Sequence, residues 1–241
     1  MKQLIINADD FGYNSERDEA IKKLLTDRLL TSATILVNQK NTESAVSYVR
    51  EKNLRCCGLH LNLADGYFTT DPSKELRYVV NYKKFSARFL LENYFAYLKE
   101  ISNQVRIAVD SFPVSHLDGH YHIHSFPLFW FPIIHTMKRY RLSKIRNAYT
   151  YYEPDSPVKA ATKLTYRRLL SAASINFPQY FFDVKYFMKN IRKVNALPDG
   201  TTIEVMCHPD AGGNEDYRLM MSVEYRDALR NFNLISYDDL T

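Results

Sequence analysis

Four of the seven histidines in this chain lie in one nine-residue stretch, residues 116–124, which reads HLDGHYHIH. Imidazole and carboxylate groups are common ligands of divalent metals. If the stretch is a β-strand, its polar members all project to one face: His116, Asp118, His120, His122 and His124. Neighbours in such a row stand about 6.6 Å apart, whereas a metal holds its ligands at about 2.0–2.2 Å. One ion cannot bind the whole row, so its remaining ligands must come from elsewhere in the chain.

Three further clusters of polar side chains follow predicted strands. They are the pair Asp9 and Asp10, His60 with Asn62, and His208 with Asp210. Taken singly, His60 fits a hydrogen-bonded core histidine, and the aspartates fit turns or helix caps. Barrel enzymes, however, assemble their sites from the carboxyl ends of several parallel strands. Four clusters at such positions therefore indicate one site, with His60 and an aspartate of the first strand as the natural further ligands.

Short apolar runs alternate with helical patterns along the chain, as repeating βα units require. The predicted strands lie at residues 3–10, 31–38, 55–63, 113–124, 143–149, 201–210 and 233–240. Helical periodicity predicts helices at residues 14–30, 85–107, 158–173 and 222–231. Asn14 or Ser15 can cap the first helix, whose acidic residues precede its basic ones as the helix dipole favours. The resulting prediction is a single α/β domain over residues 1–241, with a barrel-like sheet.

Residues 156–195 are rich in aromatic and basic side chains and contain helical segments. We predict that they form a helical insertion packed on the barrel, or the surface of a homodimer. A functional basic face is the alternative interpretation.

The composition argues against two classes of partner and for one location. The 32 basic and 27 acidic side chains give a net charge of +5, but they are interspersed, whereas nucleic-acid-binding domains concentrate basic residues. No apolar run approaches the roughly 20 residues that span a bilayer. The N-terminus turns acidic too soon for a signal peptide, and three cysteines with an adjacent pair make a poor disulfide framework. We therefore expect a cytoplasmic protein without nucleic-acid or membrane partners.

Four motifs together resemble those of the YdjC-like (ChbG-type) carbohydrate deacetylases. They are INADDFGYN at residues 6–14, GLHLNL at 58–63, HLDGHYHIH at 116–124 and MCHPD at 206–210. Their order and spacing are those of the family. The resemblance implies a distorted TIM-like (β/α) barrel that removes acetyl groups from N-acetylated sugars such as chitooligosaccharides. The expected partner is therefore a small-molecule N-acetylated saccharide.

The same resemblance implies roles for individual residues. The matching metal ligands are Asp10, His60 and His120, the general base is Asp9, and the general acid is His208. Contacts to the substrate are expected from Asn62, Asp118, His122 and Arg146. Arg146 is also expected to orient Asp9, whereas His122 and His124 lie too far along the predicted strand to bind the ion. The chain departs from the family at Asp210, where a glycine is usual, which leaves the substrate preference and the role of His208 open.

Two imidazoles and one carboxylate suit one divalent ion, Zn²⁺ or Mg²⁺, and leave open positions on it. Such an ion polarises a carbonyl group and activates water, and a neighbouring carboxylate can accept a proton. The same ligand set serves non-haem Fe(II) oxygenases, but these have an all-β pattern instead of alternating strands and helices. Two alternatives stay open: a catalytically inactive protein that binds metal or sugar, and a hydrolase of another small-molecule ester or phosphoester.

Overall fold

The longest strand, β1 (Lys2–Phe11), lies in the middle of a parallel sheet. The computed structural model describes residues 1–76, 87–147 and 156–240. Leu4, Ile5 and Ile6 of β1 are fully buried, although consecutive residues face opposite sides of the sheet. Burial on both faces is typical of parallel strands that helices cover on both sides. The apolar run of β1 therefore reflects its central position.

Six further strands complete the sheet within the described residues, and all their pairings with one another are parallel. They are β2 (Ser32–Ile35), β3 (Cys57–Leu61), β4 (Leu117–Gly119), β5 (Tyr180–Asp183), β6 (Thr202–Cys207) and β7 (Phe232–Leu234). The order across the sheet is β4-β3-β2-β1-β6-β5, and β7 pairs with the start of β1. The sheet curls into a half-barrel, as expected of a distorted TIM-like fold.

Helices connect the strands, as parallel pairing requires. They are α1 (Ser15–Thr26), α2 (Thr42–Glu51), α3 (Ala87–Ser111), α4 (Pro127–Arg139), α5 (Pro157–Ala172), α6 (Val184–Lys189), α7 (Ile191–Asn195), α8 (Glu215–Met221) and α9 (Val223–Leu229). Asn14 caps α1, and its side chain accepts a hydrogen bond from the Arg17 amide. Over the described ranges, no helix combines the length and apolar character needed to cross a membrane.

The predicted fourth strand, residues 113–124, is correct only for Leu117–Gly119. After β4 the chain enters a 3-10 turn, His120–Ser125, in which Tyr121 and His122 have left-handed backbone conformations with φ of 49° and 56°. Gly119 permits this fold-back, because a Cβ there would lie 2.7 Å from the Ile123 side chain. The row of five polar side chains on one strand face therefore does not exist.

Three other predicted elements differ from the structure. Residues 156–195 are not purely helical, because β5 lies within them and pairs with β6. The predicted fifth strand, residues 143–149, forms only isolated bridges from Lys144 and Ile145, while residues 148 and 149 lie outside the described ranges. Ile145 pairs with Leu117 of β4, and Lys144 pairs with Asn176 before β5, so the bridges link the two strands. The predicted closing strand shortens to β7, and a 3-10 turn (Tyr237–Asp239) follows it.

Candidate active site

Three side chains from the carboxyl ends of β1, β3 and β4 converge on one point. His120 Nδ1 lies 2.8 Å and His60 Nε2 3.3 Å from Asp10 Oδ1, and the two ring nitrogens are 3.3 Å apart. All three residues are buried. The structure thus brings together the three residues predicted as metal ligands.

The donor set fits a divalent cation. Ligands about 2.1 Å from a common ion, at tetrahedral or octahedral angles, are about 3.0–3.4 Å apart, close to the separations seen here. Asp10 Oδ1 is buried and makes no hydrogen bond within the described residues, although two imidazole nitrogens lie beside it. A carboxylate oxygen and two imidazole nitrogens that converge on one point are an arrangement that a divalent cation stabilises. Asp10, His60 and His120 could therefore hold one metal ion.

Asp118 contacts Nδ1 of His60, whereas Nε2 is the ring nitrogen near Asp10. His60 Nδ1 lies 2.6 Å from Asp118 Oδ1, and Thr34 Oγ1 donates to the other oxygen of that carboxylate at 3.1 Å. Burial lowers the pKa of His60, but Asp118 and Asp9 outweigh this effect and raise the pKa to about 10. The surrounding carboxylates thus favour positive charge at this point. A carboxylate on the second ring nitrogen also leaves Nε2 as the ligand atom, a common arrangement at metal sites.

The loop after β3 places a second carboxylate beside His120. Asp65 Oδ2 lies 3.6 Å from His120 Nε2, the ring nitrogen that faces away from Asp10. Asn62 organises this loop: its amide nitrogen donates to the backbone oxygen of Asp65 at 2.9 Å, and its amide oxygen accepts from the Ala64 amide. The Asn62 side chain is fully buried. These contacts favour a structural role, and its contact with substrate stays a prediction.

At the end of β1, the adjacent residues Asp9 and Asp10 turn their carboxylates to different partners. The register between β1 and β2 shifts between Ala8 and Phe11, and Asp10 has a left-handed φ of 65°. In a regular strand two adjacent side chains face opposite sides of the sheet. Here Asp10 faces the two imidazoles while its Oδ2 accepts from Arg17, and Asp9 turns to Arg146.

Arg146 binds Asp9 through both of its terminal nitrogens. Nη1 donates to Asp9 Oδ2 at 2.7 Å and Nη2 to Asp9 Oδ1 at 2.6 Å, while Nη2 also lies 2.8 Å from Asp118 Oδ2. Arg146 is 0% exposed. Burial alone would raise the pKa of Asp9, but Arg146 holds it well below its usual range. Arg146 thus keeps Asp9 ionised, as the expected orienting role requires.

His208 follows β6 and lies near the carboxylate of Asp9. Its Nε2 is 3.8 Å from Asp9 Oδ2, and its side chain is 38% exposed. The backbone amide of His208 donates to the Asp216 carboxylate at 2.8 Å. The Asn214 side chain donates to the backbone oxygen of His208 at 2.6 Å. Asp210 stays in the loop, where its side chain accepts from the Gly212 amide. His208 is therefore fixed through its backbone and reaches both the carboxylate and solvent.

Three histidines of the opening motif lie outside the candidate metal-ligand group of Asp10, His60 and His120. His122 packs 5.6 Å from the Phe181 ring, His124 is fully buried, and His116 stacks on Tyr237 at 3.5 Å. Burial lowers the pKa of His122 to about 4, and Arg146 adds to this effect. His122 is therefore neutral near pH 7. Its contact with substrate stays a prediction, as does that of Asp118, whose full burial favours a supporting role.

Several site residues escaped the sequence analysis. Glu204 and Tyr237 extend the contacts of Arg146, whereas Arg17 and Asp65 extend those of the metal-ligand group. One of them carries a signal: Glu204 places a charge inside the apolar run of β6, where an acid needs a buried partner. Nothing in the local pattern distinguishes Arg17, Asp65 or Tyr237.

The buried contact between Asp118 and His60 leads to a prediction about metal affinity. In an Asp118→Asn variant the amide oxygen can still accept from His60, but the negative charge is lost. Loss of such a supporting group typically weakens metal binding by about 10–100-fold. Titration of chelator-treated protein with Zn²⁺ measures the change, with Asp110→Asn, at an exposed carboxylate on α3, as the control. Equal affinities in the two variants would contradict the supporting role.

Comparison with known proteins finds a family model and several relatives that match most of this chain. The model of a family described as YdjC-like protein matches residues 3–231. A carbohydrate deacetylase of Halalkalibacterium halodurans is 30% identical over 216 residues, covering 86% of this chain and 84% of the relative. A carbohydrate deacetylase of Clostridium beijerinckii is 25% identical over 238 residues, covering 92% and 86%.

One solved structure shares the fold over nearly the full length of both chains. It is a crystal structure of an Enterococcus faecalis V583 protein, provisionally described as a cellobiose-phosphate cleavage protein. The TM-score is 0.73 at 19% identity, and the match covers 98% of each chain. At this identity the likeness establishes the fold alone.

Proposed function

Because this chain belongs to the YdjC-like protein family, we propose that it is a metal-dependent hydrolase that removes acetyl groups from N-acetylated sugars. The family match confirms the resemblance that the four motifs indicated. The relatives named carbohydrate deacetylase support the sugar as the substrate class. Within that class, the substrate is a chitooligosaccharide or a related sugar that contains N-acetylglucosamine.

One observation carries the proposal: a candidate metal centre and an ionised carboxylate lie side by side. Asp10, His60 and His120 converge within 3.3 Å, while Asp9 of the same strand end is held separately by Arg146. Hydrolysis of an amide needs both an electrophilic centre for the carbonyl oxygen and a base for water. This arrangement supports hydrolysis more directly than simple metal storage, which has no use for Asp9.

Asp9 is the proposed general base. Its Oδ1 accepts from Arg146 and from Asn7 at 2.8 Å, whereas Oδ2 accepts from Arg146. A carboxylate offers about four lone-pair positions, so Oδ2 retains capacity to accept a proton from an attacking water. A bound divalent cation would polarise the acetyl carbonyl and make water more acidic. Arg146 then stabilises Asp9 in the orientation that proton transfer needs.

His208 is the proposed general acid. An amine leaves poorly from a carbon centre unless its nitrogen is protonated, so deacetylation needs a proton donor on the leaving-group side. His208 lies 3.8 Å from Asp9 and is partly exposed, so a sugar nitrogen can approach it. Base and acid thus stand at the ends of the neighbouring strands β1 and β6.

The nature of the ion, the location and the domain organisation belong to the same proposal. Two imidazole nitrogens and one carboxylate oxygen suit Zn²⁺ better than Mg²⁺, which prefers oxygen ligands. We propose one ion per chain, Zn²⁺ or Mg²⁺, in a single domain of residues 1–241 that acts in the cytoplasm. A homodimer through the surface of residues 156–195 stays a prediction.

Acetate release tests the function. We expect chelator-treated protein to release no acetate from N-acetylglucosamine or chitobiose, and protein reloaded with Zn²⁺ or Mg²⁺ to release one acetate per hydrolysed group. His208→Ala, which leaves the proposed ligands intact, should retain metal and lose about 10²–10⁴-fold in rate if it is the acid. A phosphoester and an acetyl ester serve as competing substrates.

Two outcomes would refute the proposal. Binding of metal and sugar without any acetate release indicates an inactive binding protein. Faster turnover of the phosphoester or the acetyl ester indicates a different hydrolase that uses the same centre.

A further inference from the structure

The guanidinium of Arg146 has a third acidic partner, Glu204 of β6. Arg146 Nε donates to Glu204 Oε1 at 2.9 Å, while its two terminal nitrogens bind Asp9 and Asp118. Arg146 and Glu204 are both 0% exposed. Glu204 is 58 residues from Arg146 in the chain, and it contacts neither His208 nor a proposed metal ligand in the hydrogen bonds and ion pairs of the described residues.

Glu204 is in turn held by Tyr237, which lies in the 3-10 turn after β7. The Tyr237 hydroxyl donates to Glu204 Oε2 at 2.6 Å, a short bond typical of an ionised acceptor. Burial raises the pKa of Tyr237 well above its usual value, so the hydroxyl keeps its proton and remains a donor. Ser236 and Asp239 form a capping box that fixes the turn, and the Tyr237 ring stacks on His116.

We infer that Glu204 and Tyr237 are positioning residues for the proposed general base, acting through the Nε edge of Arg146. The inference rests on the proposed role of Asp9. A guanidinium is a rigid plane, so three carboxylates on its separate edges fix its position and tilt. If Glu204 releases Nε, the plane can rotate about the Arg146 side chain, and Asp9 moves with it. Small displacements of a reacting group can cost up to about 100-fold in rate.

The charge on Glu204 gives the inference a pH signature. Burial raises the pKa of Glu204 to about 7, while Arg146 and Tyr237 oppose this rise. The other charged groups that face it are Asp118 and Asp9, and both raise the pKa further. Without the Tyr237 hydroxyl, Glu204 is protonated over more of the neutral range and binds Arg146 less firmly. The rate deficit of Tyr237→Phe should therefore be largest between about pH 7 and the higher pKa of Glu204 in the variant, and it should shrink at lower pH, where Glu204 is protonated in both proteins.

Tyr237→Phe and Glu204→Gln test the pair, with Tyr225→Phe as a matched control. Tyr225 is also fully buried, but its hydroxyl has no hydrogen-bond partner within the described residues. For the metal-loaded enzyme acting on chitobiose, we expect kcat to fall about tenfold in both test variants. KM and Zn²⁺ affinity should stay within about twofold, and Tyr225→Phe should keep its wild-type kcat.

A second measurement is independent of activity. Arg146 Nε–H is buried and bound to a carboxylate, so in ¹⁵N-labelled protein it should give a slowly exchanging signal, assigned by its loss in Arg146→Lys. Glu204→Gln should shift this signal and speed its exchange. An unchanged signal overturns the inference.

The kinetic outcomes separate the inference from the proposed function. Wild-type kcat in both test variants overturns the inference, and so does an equal loss in Tyr225→Phe. A fall in Zn²⁺ affinity that matches the fall in kcat also overturns it, because the effect would then act through Asp118 and His60. Absence of acetate release from unaltered, metal-loaded protein refutes the proposed function instead, and the Arg146 signal then decides the positioning role by itself.

Discussion

The double variant His60→Ala, His120→Ala is expected to lose its divalent metal and, with it, acetate release. Two of the three proposed ligand atoms disappear, and the remaining carboxylate oxygen, Asp10 Oδ1, cannot hold the ion alone. Elemental analysis after removal of loosely bound metal should find about one ion per chain in the wild type and almost none in the variant. Activity should fall to the background of the metal-free protein.

His135→Ala is the control for the loss of a histidine. His135 lies on α4 at the surface. It belongs to neither group of the described residues that could hold a metal, which are Asp10 with His60 and His120, and Asp9 with His60 and Asp118. It should keep its full metal content and rate. Undiminished metal in the double variant would contradict the assignment of His60 and His120 as ligands, and the ion would then have to bind elsewhere. Removal of two buried imidazoles also leaves a cavity, so the melting temperature is measured alongside.

Replacing Asp9 with asparagine should slow acetate release by about 10²–10⁴-fold, the usual contribution of a general base. Asparagine keeps the shape of the side chain but cannot accept the proton. The ligands Asp10, His60 and His120 are untouched, so metal content should stay at the wild-type level. KM should change little, because the interaction lost is one made mainly in the transition state.

The structure adds a cost that the sequence did not predict. Removal of one partner of a buried ion pair typically costs about 3–5 kcal/mol. Here Arg146 keeps Asp118 and Glu204, so we expect a smaller loss and a folded variant with a lower melting temperature. If Asp9 were a metal ligand, metal content would fall together with the rate. If it were only structural, stability would fall and turnover would survive.

Rescue by a small carboxylic acid distinguishes a general base from a residue with only a structural role. Asp9→Ala leaves a space beside the Arg146 guanidinium, which can bind formate through the two nitrogens that held Asp9. Added formate should restore part of the rate, and chloride at the same ionic strength should not. Near-normal turnover of Asp9→Asn would remove Asp9 from the mechanism.

The positions of the proposed catalytic and metal-binding groups could be predicted from the sequence. Asp9, Asp10, His60 and His208 each follow an apolar run that forms a strand. Since all these strands are parallel, their carboxyl ends share one edge of the sheet. Residues far apart in the chain must therefore meet there. The same rule accounts for the correct fold class, although boundaries such as the end of β4 were wrong.

The local alternation of residues 116–124 was misleading for a physical reason. A period of two predicts a strand, but it does not exclude a turn that happens to place polar residues at alternate positions. Gly119 and the left-handed conformations of Tyr121 and His122 end the strand, so of the four histidines only His120 reaches Asp10 and His60. The helical interpretation of residues 156–195 failed similarly, because β5 is short and its pairing with β6 depends on the rest of the sheet.

The sequence by itself thus determined the type of fold, the family and the set of groups that can bind a metal and transfer protons. Only the tertiary structure showed how the two carboxylates are held: Asp10 lies beside the two imidazoles, and Asp9 binds Arg146. Arg146, Glu204 and Tyr237 come from three separate segments, and the local sequence does not show that they bind one another. Their pairing follows from burial, since a charge removed from water must find a partner in space, whatever its position in the chain.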